Sequence, residues 1–342
     1  QEPRAQGHQT EVGTIASLLV PAPSGPTERV IFFGTPEISS EVLVLLIENG
    51  IRVEAVVTRP DKRRGRGSET SPSPVKATAV RFNIPCFDSI DAVLAHLHHQ
   101  ESLVGVTGVV VAYGRILKEP LISLIPLVNL HFSLLPRWRG AAPVERAILC
   151  GDATTGSSIM QIEEGLDTGG VYAVEEVDIL SHESADELRS RLGVVGTRQL
   201  VQLLRNGFPQ PAPQNGEPVH AEKISPAELQ IHWSQPAINA QRQVRVGGAF
   251  TYFHNSRVKV LDARVHNNDA ENTGGTSFAT GAIVQLRKEG VVVQTANGQL
   301  LVSQVQAESK KPMLARDWAN GLRVAIGDLF EFVTSTPNKD VS

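Results

Sequence analysis

The stretch RVIFFGTPEISSEVLVLLIENGIRVEAVVTRPD, residues 29–61, decides the fold class of this chain. Its first six residues are nearly all apolar and are typical of a buried strand that ends at Gly34. The following segment carries apolar side chains at helical spacing, stops at Gly50, and leads into a second apolar run. A strand, a helix and a strand in this order predict a parallel sheet whose faces are covered by helices.

The same α/β pattern continues to about residue 207. ESLVGVTGVVVAYG contains an all-apolar strand that we expect to end at Tyr113 and Gly114, and LVNLHF contains a shorter one. Two further strands flank a Gly-rich turn around Asp167, and a Ser-capped amphipathic helix closes the region. Only the Gly-, Ser- and Pro-rich segment 62–79 interrupts the pattern, and we predict a long loop there. Residues 29–207 are therefore interpreted as a Rossmann-like domain with a mostly parallel sheet.

The remainder of the chain has a different pattern of apolar and polar residues. FPQPAPQNGEP is rich in Pro and lacks periodicity, so we place a domain linker at residues 208–225. Short alternating runs and turn signals follow, and they predict a small antiparallel β-barrel, OB-like, over residues 226–335. Within it, residues 262–281 contain an expected flexible loop. Residues 1–28 are small and polar and are predicted to form a flexible N-terminal extension.

Composition limits the class of protein. With 342 residues, 41% hydrophobic, 20% charged and a net charge of −4, the chain is long enough for two domains and is not a basic nucleic-acid coat. Residues 220–335 nevertheless hold two more basic than acidic residues. Two cysteines in no paired motif favour a reducing compartment and predict no metal site. No apolar run is long enough to span a membrane. We expect a cytoplasmic protein and a monomer.

Asn129 and His131 are the first candidate site residues. Residues two apart on a strand point the same way, and parallel sheets bind ligands at the carboxyl ends of their strands. An Asn amide can donate to an oxyanion, and a His can accept a proton near neutral pH. Asp167 in its Gly-rich turn could orient the imidazole. These residues point to acyl or one-carbon transfer, while a structural His at the sheet edge stays the alternative.

At these residues the chain resembles a known family. NLHFSLLPRWRGAAPVERAILCGDATTGSSIMQIEEGLDTGG, residues 129–170, is similar to the active-site block of the methionyl-tRNA formyltransferase family. FFGTPEISSEVL, TRPDKRRGRG with SPVK, VVVAYGRIL, HAEKISPAELQIHWSQPA and the predicted barrel resemble further parts of it, in the same order. The resemblance covers about residues 29–332. One departure lies at residues 241–253, where the family carries a loop several residues longer.

The resemblance implies transfer of a formyl group from 10-formyltetrahydrofolate to the α-amino group of methionine on charged initiator tRNA. It assigns Asn129 to the formyl oxygen, His131 to the proton of the attacking amine, and Asp167 to His131. Metal is not required. The residues that the resemblance places against the folate are Ser133, Leu134, Leu135, Pro136, Tyr113, Gly114 and Ile116. Those that it places against tRNA are Arg66, Lys62, Arg63 and Arg64.

Other interpretations remain open at this stage. Leu134 and Leu135 could be core residues, Arg137 and Arg139 could pair with the backbone, and the basic loop could be solvated. The same Asn, His and Asp would also serve a folate-dependent formyltransferase or hydrolase acting on an amino sugar, a nucleotide amine or water. A non-enzymatic tRNA- or folate-binding protein is the other class. The basic loop, RWRGAAP and the barrel favour tRNA as acceptor, and the three polar residues favour an enzyme.

Overall fold

The fold is taken from a computed structural model that describes residues 21–23, 25–63, 70–266 and 278–332. Most of the predicted N-terminal extension, Arg64 and Arg66 of the basic loop, and residues 267–277 of the predicted flexible loop lie outside these ranges. Lys62 and Arg63 are described by their backbone.

The N-terminal half alternates strands and helices, as the strand–helix–strand pattern predicts. Its elements in chain order are β1 (Arg29–Gly34), α1 (Glu37–Glu48), β2 (Val53–Val57), β3 (Lys62–Arg63), β4 (Thr70–Ser71), α2 (Pro74–Arg81), β5 (Cys86–Phe87), α3 (Ile90–His98), β6 (Val106–Val111), α4 (Leu121–Leu124), β7 (Leu127–His131), β8 (Arg139–Gly140), α5 (Pro143–Cys150), β9 (Thr154–Gln161), β10 (Val171–Asp178) and α6 (Ala185–Asn206).

Seven of these strands form one mixed sheet in the order β10-β9-β7-β6-β1-β2-β5. The run from β5 to β7 is parallel, while β9 and β10 are antiparallel additions at one edge. Every residue of β6 is buried, as expected for a strand with helices on both faces. The chain leaves β1 toward β2 on one side and returns to β6 on the other. The crevice between the carboxyl ends of β1 and β6 is therefore a topological switch point, where such sheets bind ligands.

Two local predictions are wrong. The segment predicted as a loop contains α2, because the Ser73 side chain accepts the Lys76 N–H and Pro74 occupies the first helical position. β6 ends at Val111 and not at Tyr113, because Ala112 adopts a positive φ of 44°. The prediction of a mostly flexible extension stays a prediction, and its last residues are bonded to the domain, since Thr27 N donates to Leu204 O at 2.7 Å.

The main sheet of the C-terminal half is antiparallel, which confirms the prediction from the short alternating runs after residue 220. Its elements are β11 (His220–Ala221), a 3₁₀ turn (Pro226–Leu229), α7 (Ala237–Val246), β12 (Phe250–Phe253), β13 (Ser256–His266), β14 (Ile283–Arg287), β15 (Gly290–Gln294), β16 (Gln299–Ala307), β17 (Met313–Leu314) and α8 (Ala315–Leu322).

The C-terminal sheet has the order β12-β13-β16-β15-β14, with β17 added to β16. It encloses its own apolar core, in which Phe330 stacks with Trp233 and with Trp318. The segment 327–331 contacts both ends of this order. Tyr252 in β12 forms a bridge with Glu331, and Ala282, next to β14, forms a bridge with Leu329. Only three residues join α7 to β12, which agrees with the short connection seen in the sequence.

Arg146 ties the two halves together. It lies on α5, and its guanidinium donates to Glu228 Oε1 at 2.5 Å and to the backbone O of Glu222 at 2.9 Å. The side-chain bond from Arg146 and the Ser225 backbone N–H lower the pKa of Glu228 from 4.5 to about 2. The carboxylate is therefore bound as an anion in the folded protein.

We predict that Glu228→Gln lowers stability at neutral pH and has less effect in acid. Because the folded pKa is depressed, the stabilisation is present above pH 4.5 and is lost as pH falls through about 2. The pair is partly solvated, so we expect a loss below about 1 kcal/mol at pH 7. Thermal unfolding of Glu228→Gln and the parent at pH 7, 4 and 2.5 measures this, with the exposed Glu289→Gln as the matched control. A difference that grows with acidity would contradict it.

Candidate active site

The end of β7 places two polar side chains in the crevice at the switch point. Asn129 and His131 are two residues apart and line one cavity of about 1070 Å³, together with the loops that follow β1 and β6. His131 is 6% exposed, although it is titratable. This position at the carboxyl ends of the parallel strands agrees with the sequence prediction.

Asp167 reaches the same cavity from the turn between β9 and β10. Its carboxylate oxygen Oδ2 accepts the backbone N–H of Gly140 at 2.8 Å, and its backbone has a φ of +53°. Close approach explains the two glycines that follow: a Cβ at Gly169 would lie 2.0 Å from the Gln161 carbonyl oxygen. The Gly-rich turn is therefore packed on β9, and this packing aims Asp167 at β7.

The three predicted residues meet around the Asp167 carboxylate. Its Oδ2 lies 3.6 Å from His131 Nδ1, and its Oδ1 lies 3.5 Å from Asn129 Nδ2. The spacing to His131 is longer than a good hydrogen bond, so attraction between charges joins the pair once the imidazole carries a second proton. The group therefore combines an amide donor, a proton acceptor and an anion within one cavity.

The hydrogen bond of His131 to the backbone defines which nitrogen is the base. Nε2 lies 2.8 Å from the carbonyl oxygen of Trp138. A carbonyl oxygen can only accept, so Nε2 carries the proton and donates it. In the neutral imidazole Nδ1 is then the free base, and it faces Asp167. A proton that Nδ1 takes up is stabilised by that carboxylate.

The predicted folate residues after β6 also line the cavity. Tyr113 is buried, and its ring contacts Phe33 edge-on at 5.8 Å between centroids. Burial is the main cause that raises the pKa of Tyr113, so the phenol stays neutral at physiological pH. Gly114 has a positive φ, and Ile116 is 71% exposed at the rim. An apolar side chain exposed beside a cavity is available for contact with a ligand.

The other predicted folate residues, Ser133, Leu134, Leu135 and Pro136, are not among the residues that line this cavity. Ser133 is fully buried, and its hydroxyl donates to Arg137 O at 2.6 Å. The Ser158 hydroxyl donates to Ser133 O at 2.7 Å, so this turn holds the segment after β7 in place. Its contact with folate stays a prediction, and its position supports a structural role.

The two arginines of RWRGAAP have protein partners. Arg137 forms a bidentate pair with Asp152, with bonds of 2.9 and 2.7 Å. Arg139 donates to Gln214 Oε1 with two nitrogens, at 3.0 and 2.7 Å. Both guanidinium groups therefore fasten the segment that supports His131, but through side chains and not through the backbone pairing suggested from the sequence.

Several lining residues were not identified from the sequence. Arg59, two residues beyond the end of β2, donates to the carbonyl oxygen of Gly114 and joins the loops that follow β2 and β6. Met160, Ile162 and Leu166 add apolar walls from β9 and the Asp167 turn. Arg59 could have been predicted from its place at the end of a parallel strand. The apolar walls could not, because sequence spacing does not distinguish them from core residues.

Among the residues that the structure describes, no three His, Cys, Asp or Glu side chains are grouped closely enough to hold a metal ion. No helix within the described ranges is long and apolar enough to cross a membrane.

Family comparisons match both halves of the chain. The Formyl transferase model matches residues 28–204, and the model of the Formyl transferase C-terminal domain matches residues 223–323. A methionyl-tRNA formyltransferase of Thermosipho africanus is 34% identical over 89% of this chain and 99% of its own length. One of Corynebacterium aurimucosum is 39% identical over 86% of this chain and 94% of its own length.

A solved structure shares the fold at lower identity. HypX from Aquifex aeolicus, in complex with tetrahydrofolic acid, is 14% identical, with a TM-score of 0.58. The similarity covers 89% of this chain and 51% of HypX.

We predict that neutral His131 carries its proton on Nε2 and not on Nδ1. The Trp138 carbonyl fixes this choice, because only an N–H can satisfy it. Nitrogen NMR of protein labelled in histidine, recorded on the neutral ring, measures it directly. His254→Gln and His131→Gln spectra assign the signals, since His254 is exposed and serves as the comparison. Protonated Nδ1 in the neutral ring would contradict the assignment.

Proposed function

This chain belongs to the methionyl-tRNA formyltransferase family, and we propose on that premise that it transfers the formyl group of 10-formyltetrahydrofolate to the α-amino group of methionine on charged initiator tRNA. The observation that carries the proposal is the meeting of Asn129, His131 and Asp167 in one cavity, inside a chain that matches its relatives over both domains. The product is the formylated initiator used to begin translation, and we place the reaction in the cytoplasm with a monomeric enzyme.

The folate end of the cavity is proposed to lie beside β6. Val110, Tyr113, Ile116, Met160 and Ile162 form a largely apolar wall there. A cavity of about 1070 Å³ is large enough for a folate and for part of an acceptor. The flat pterin ring fits an apolar, partly aromatic wall, and the few polar groups at the end of β7 lie where the reacting carbon would be held.

The reaction needs a donor for the formyl oxygen and an acceptor for the amine proton. The Asn129 amide is half-buried and uncharged, so it can donate to an oxygen whose negative charge grows as the amine attacks. Nδ1 of His131 then receives the proton of the amine, directly or through a water, and Asp167 stabilises the resulting imidazolium. The return of that proton to the departing folate nitrogen balances the transfer.

The C-terminal domain is proposed to bind the tRNA as an OB-like barrel. Its support is the segment 327–331, which hydrogen-bonds to residues at both ends of the strand order. The domain boundaries 29–207, 208–225 and 226–335 are part of the same proposal. The basic residues Lys62, Arg63, Arg64 and Arg66 would contact the acceptor end of the tRNA.

The alternatives differ in the acceptor. A formyltransferase for an amino sugar or a nucleotide amine, or a hydrolase, would share the three polar residues. Relatives above 30% identity that span both domains favour charged tRNA instead. The decisive assay supplies 10-formyltetrahydrofolate with charged initiator tRNA and measures formyl-methionine on the tRNA. Free methionine and water alone are the controls, and turnover with water at an equal rate would contradict the proposal.

We predict that Asn129→Ala lowers turnover by about 10²–10³, equivalent to roughly 3–4 kcal/mol of barrier, because it removes the oxyanion donor. Folate affinity, measured by titration, should be nearly unchanged. Asn239→Ala on α7, which is half-buried like Asn129, serves as the control for loss of an Asn side chain. Parent-like turnover in Asn129→Ala would contradict the oxyanion role.

We also predict that Arg66→Ala strongly lowers formylation of charged tRNA without changing folate binding. A guanidinium between two glycines can approach the acceptor end closely and stack on a base. Lys62→Ala with Arg63→Ala should instead reduce the salt dependence of tRNA binding, since phosphate contacts release counterions. Each variant is measured for tRNA affinity across salt and for folate affinity at one salt. Unchanged formylation in Arg66→Ala would show that the loop is a solvated connector.

A further inference from the structure

The side chain of Gln214, in the Pro-rich linker, has every polar atom bonded to the segments around Asp167. Its amide nitrogen donates to the carbonyl oxygens of Asp167 and Gly169, at 2.9 and 2.8 Å. Its Oε1 accepts two bonds from Arg139. One side chain therefore joins the Asp167 turn to the strand that carries Gly140, whose N–H binds the Asp167 carboxylate.

The backbone that Gln214 holds is in a conformation that needs support. Asp167 has a φ of +53°, in the left-handed region, which non-glycine residues adopt at a cost. Such a conformation persists when the surrounding structure over-determines it. The bonds from Gln214 to the carbonyls at 167 and 169 fix the peptide planes 167–168 and 169–170. The direction of the Asp167 side chain follows from these planes.

The linker is bonded to the catalytic domain on both sides of Gln214. Ala212 and Val171 exchange two backbone hydrogen bonds, of 2.8 and 2.9 Å, at the end of the Asp167 turn. Beyond Gln214, Arg139 N donates to Val219 O at 2.9 Å, and β11 pairs with β8. The linker is thus a strap across the site, and not a free connector.

Gln214 does not line the cavity, so contact with a substrate does not explain its bonds. We propose that Gln214 is a positioning residue that holds Asp167 at its distance from His131, which makes the linker a part of the catalytic centre. The proposal rests on the proposed function for its kinetic consequence, but its structural consequence can be measured without turnover. The position requires both the length and the amide group of Gln, because this side chain donates two hydrogen bonds and accepts two.

The test compares Gln214→Ala and Gln214→Glu with Asn215→Ala, an exposed neighbour. We expect both Gln214 variants to lower kcat about tenfold or more, since small misplacements of a catalytic group are costly. KM for each substrate should stay near the parent value. Gln214→Glu keeps the acceptor for Arg139 but cannot donate to the two carbonyls, so it should resemble Gln214→Ala. Hydrogen exchange of the Gly140 amide and of residues 163–170 should become faster in both.

A double-mutant cycle separates positioning from general stability. If Gln214 acts through Asp167, Gln214→Ala should cost little further activity in an Asp167→Ala background. An equal loss in both backgrounds would overturn the proposal, as would unchanged kcat and unchanged exchange in Gln214→Ala. If the parent protein itself fails to formylate charged tRNA, the proposed function fails, whereas the exchange measurement still decides whether Gln214 holds the turn.

Discussion

The hydrogen bond from the Gly140 N–H to the Asp167 carboxylate is the contact on which the site depends. It joins two segments that are far apart in sequence, the stretch after β7 and the turn between β9 and β10. This bond, of 2.8 Å, holds Oδ2 on the side of His131, while Oδ1 lies on the side of Asn129. A carboxylate bound in this way stays oriented while the neighbouring imidazole changes charge.

The fold brings these segments together through its strand order. Parallel strands place Asn129 and His131 at the edge where ligands bind, and the antiparallel addition of β9 and β10 returns the chain to that same edge. The carbonyl of Trp138 then selects the tautomer of His131. Fixed backbone groups thus set both the direction and the proton state of the side chains that would react, which is the condition for preorganised catalysis.

The sequence predicted the polar residues of the site because each stood in a readable context. Asn129 and His131 share a strand, and Asp167 lies in a Gly-rich turn, where close approach of the backbone is expected. The prediction was weaker where contacts are set by tertiary packing. Ser133 lies in a turn that the family resemblance places against the folate, but its hydroxyl is bonded within the protein. Helix α2 was missed although Ser73 and Pro74 are ordinary helix-start signals.

The linker was predicted from its composition, which left its conformation open. Proline and the absence of periodicity indicate an irregular segment, but they do not show whether that segment is free or bonded. Gln214 could not be singled out, because a lone polar residue among prolines carries no spacing signal. The structure shows that its amide hydrogen-bonds to two carbonyl oxygens and to an arginine.

The strap also affects the order in which the chain can become active during synthesis. The seven-stranded sheet is complete once β10 and α6 have emerged, so the N-terminal half holds most of its own core by residue 206. Its Asp167 turn, however, still lacks Gln214, Ala212 and the β11 partner of β8 at that moment. A nascent chain that has folded its large sheet therefore still lacks these hydrogen bonds to the Asp167 turn. They form only when the segment leading into the second domain has left the ribosome.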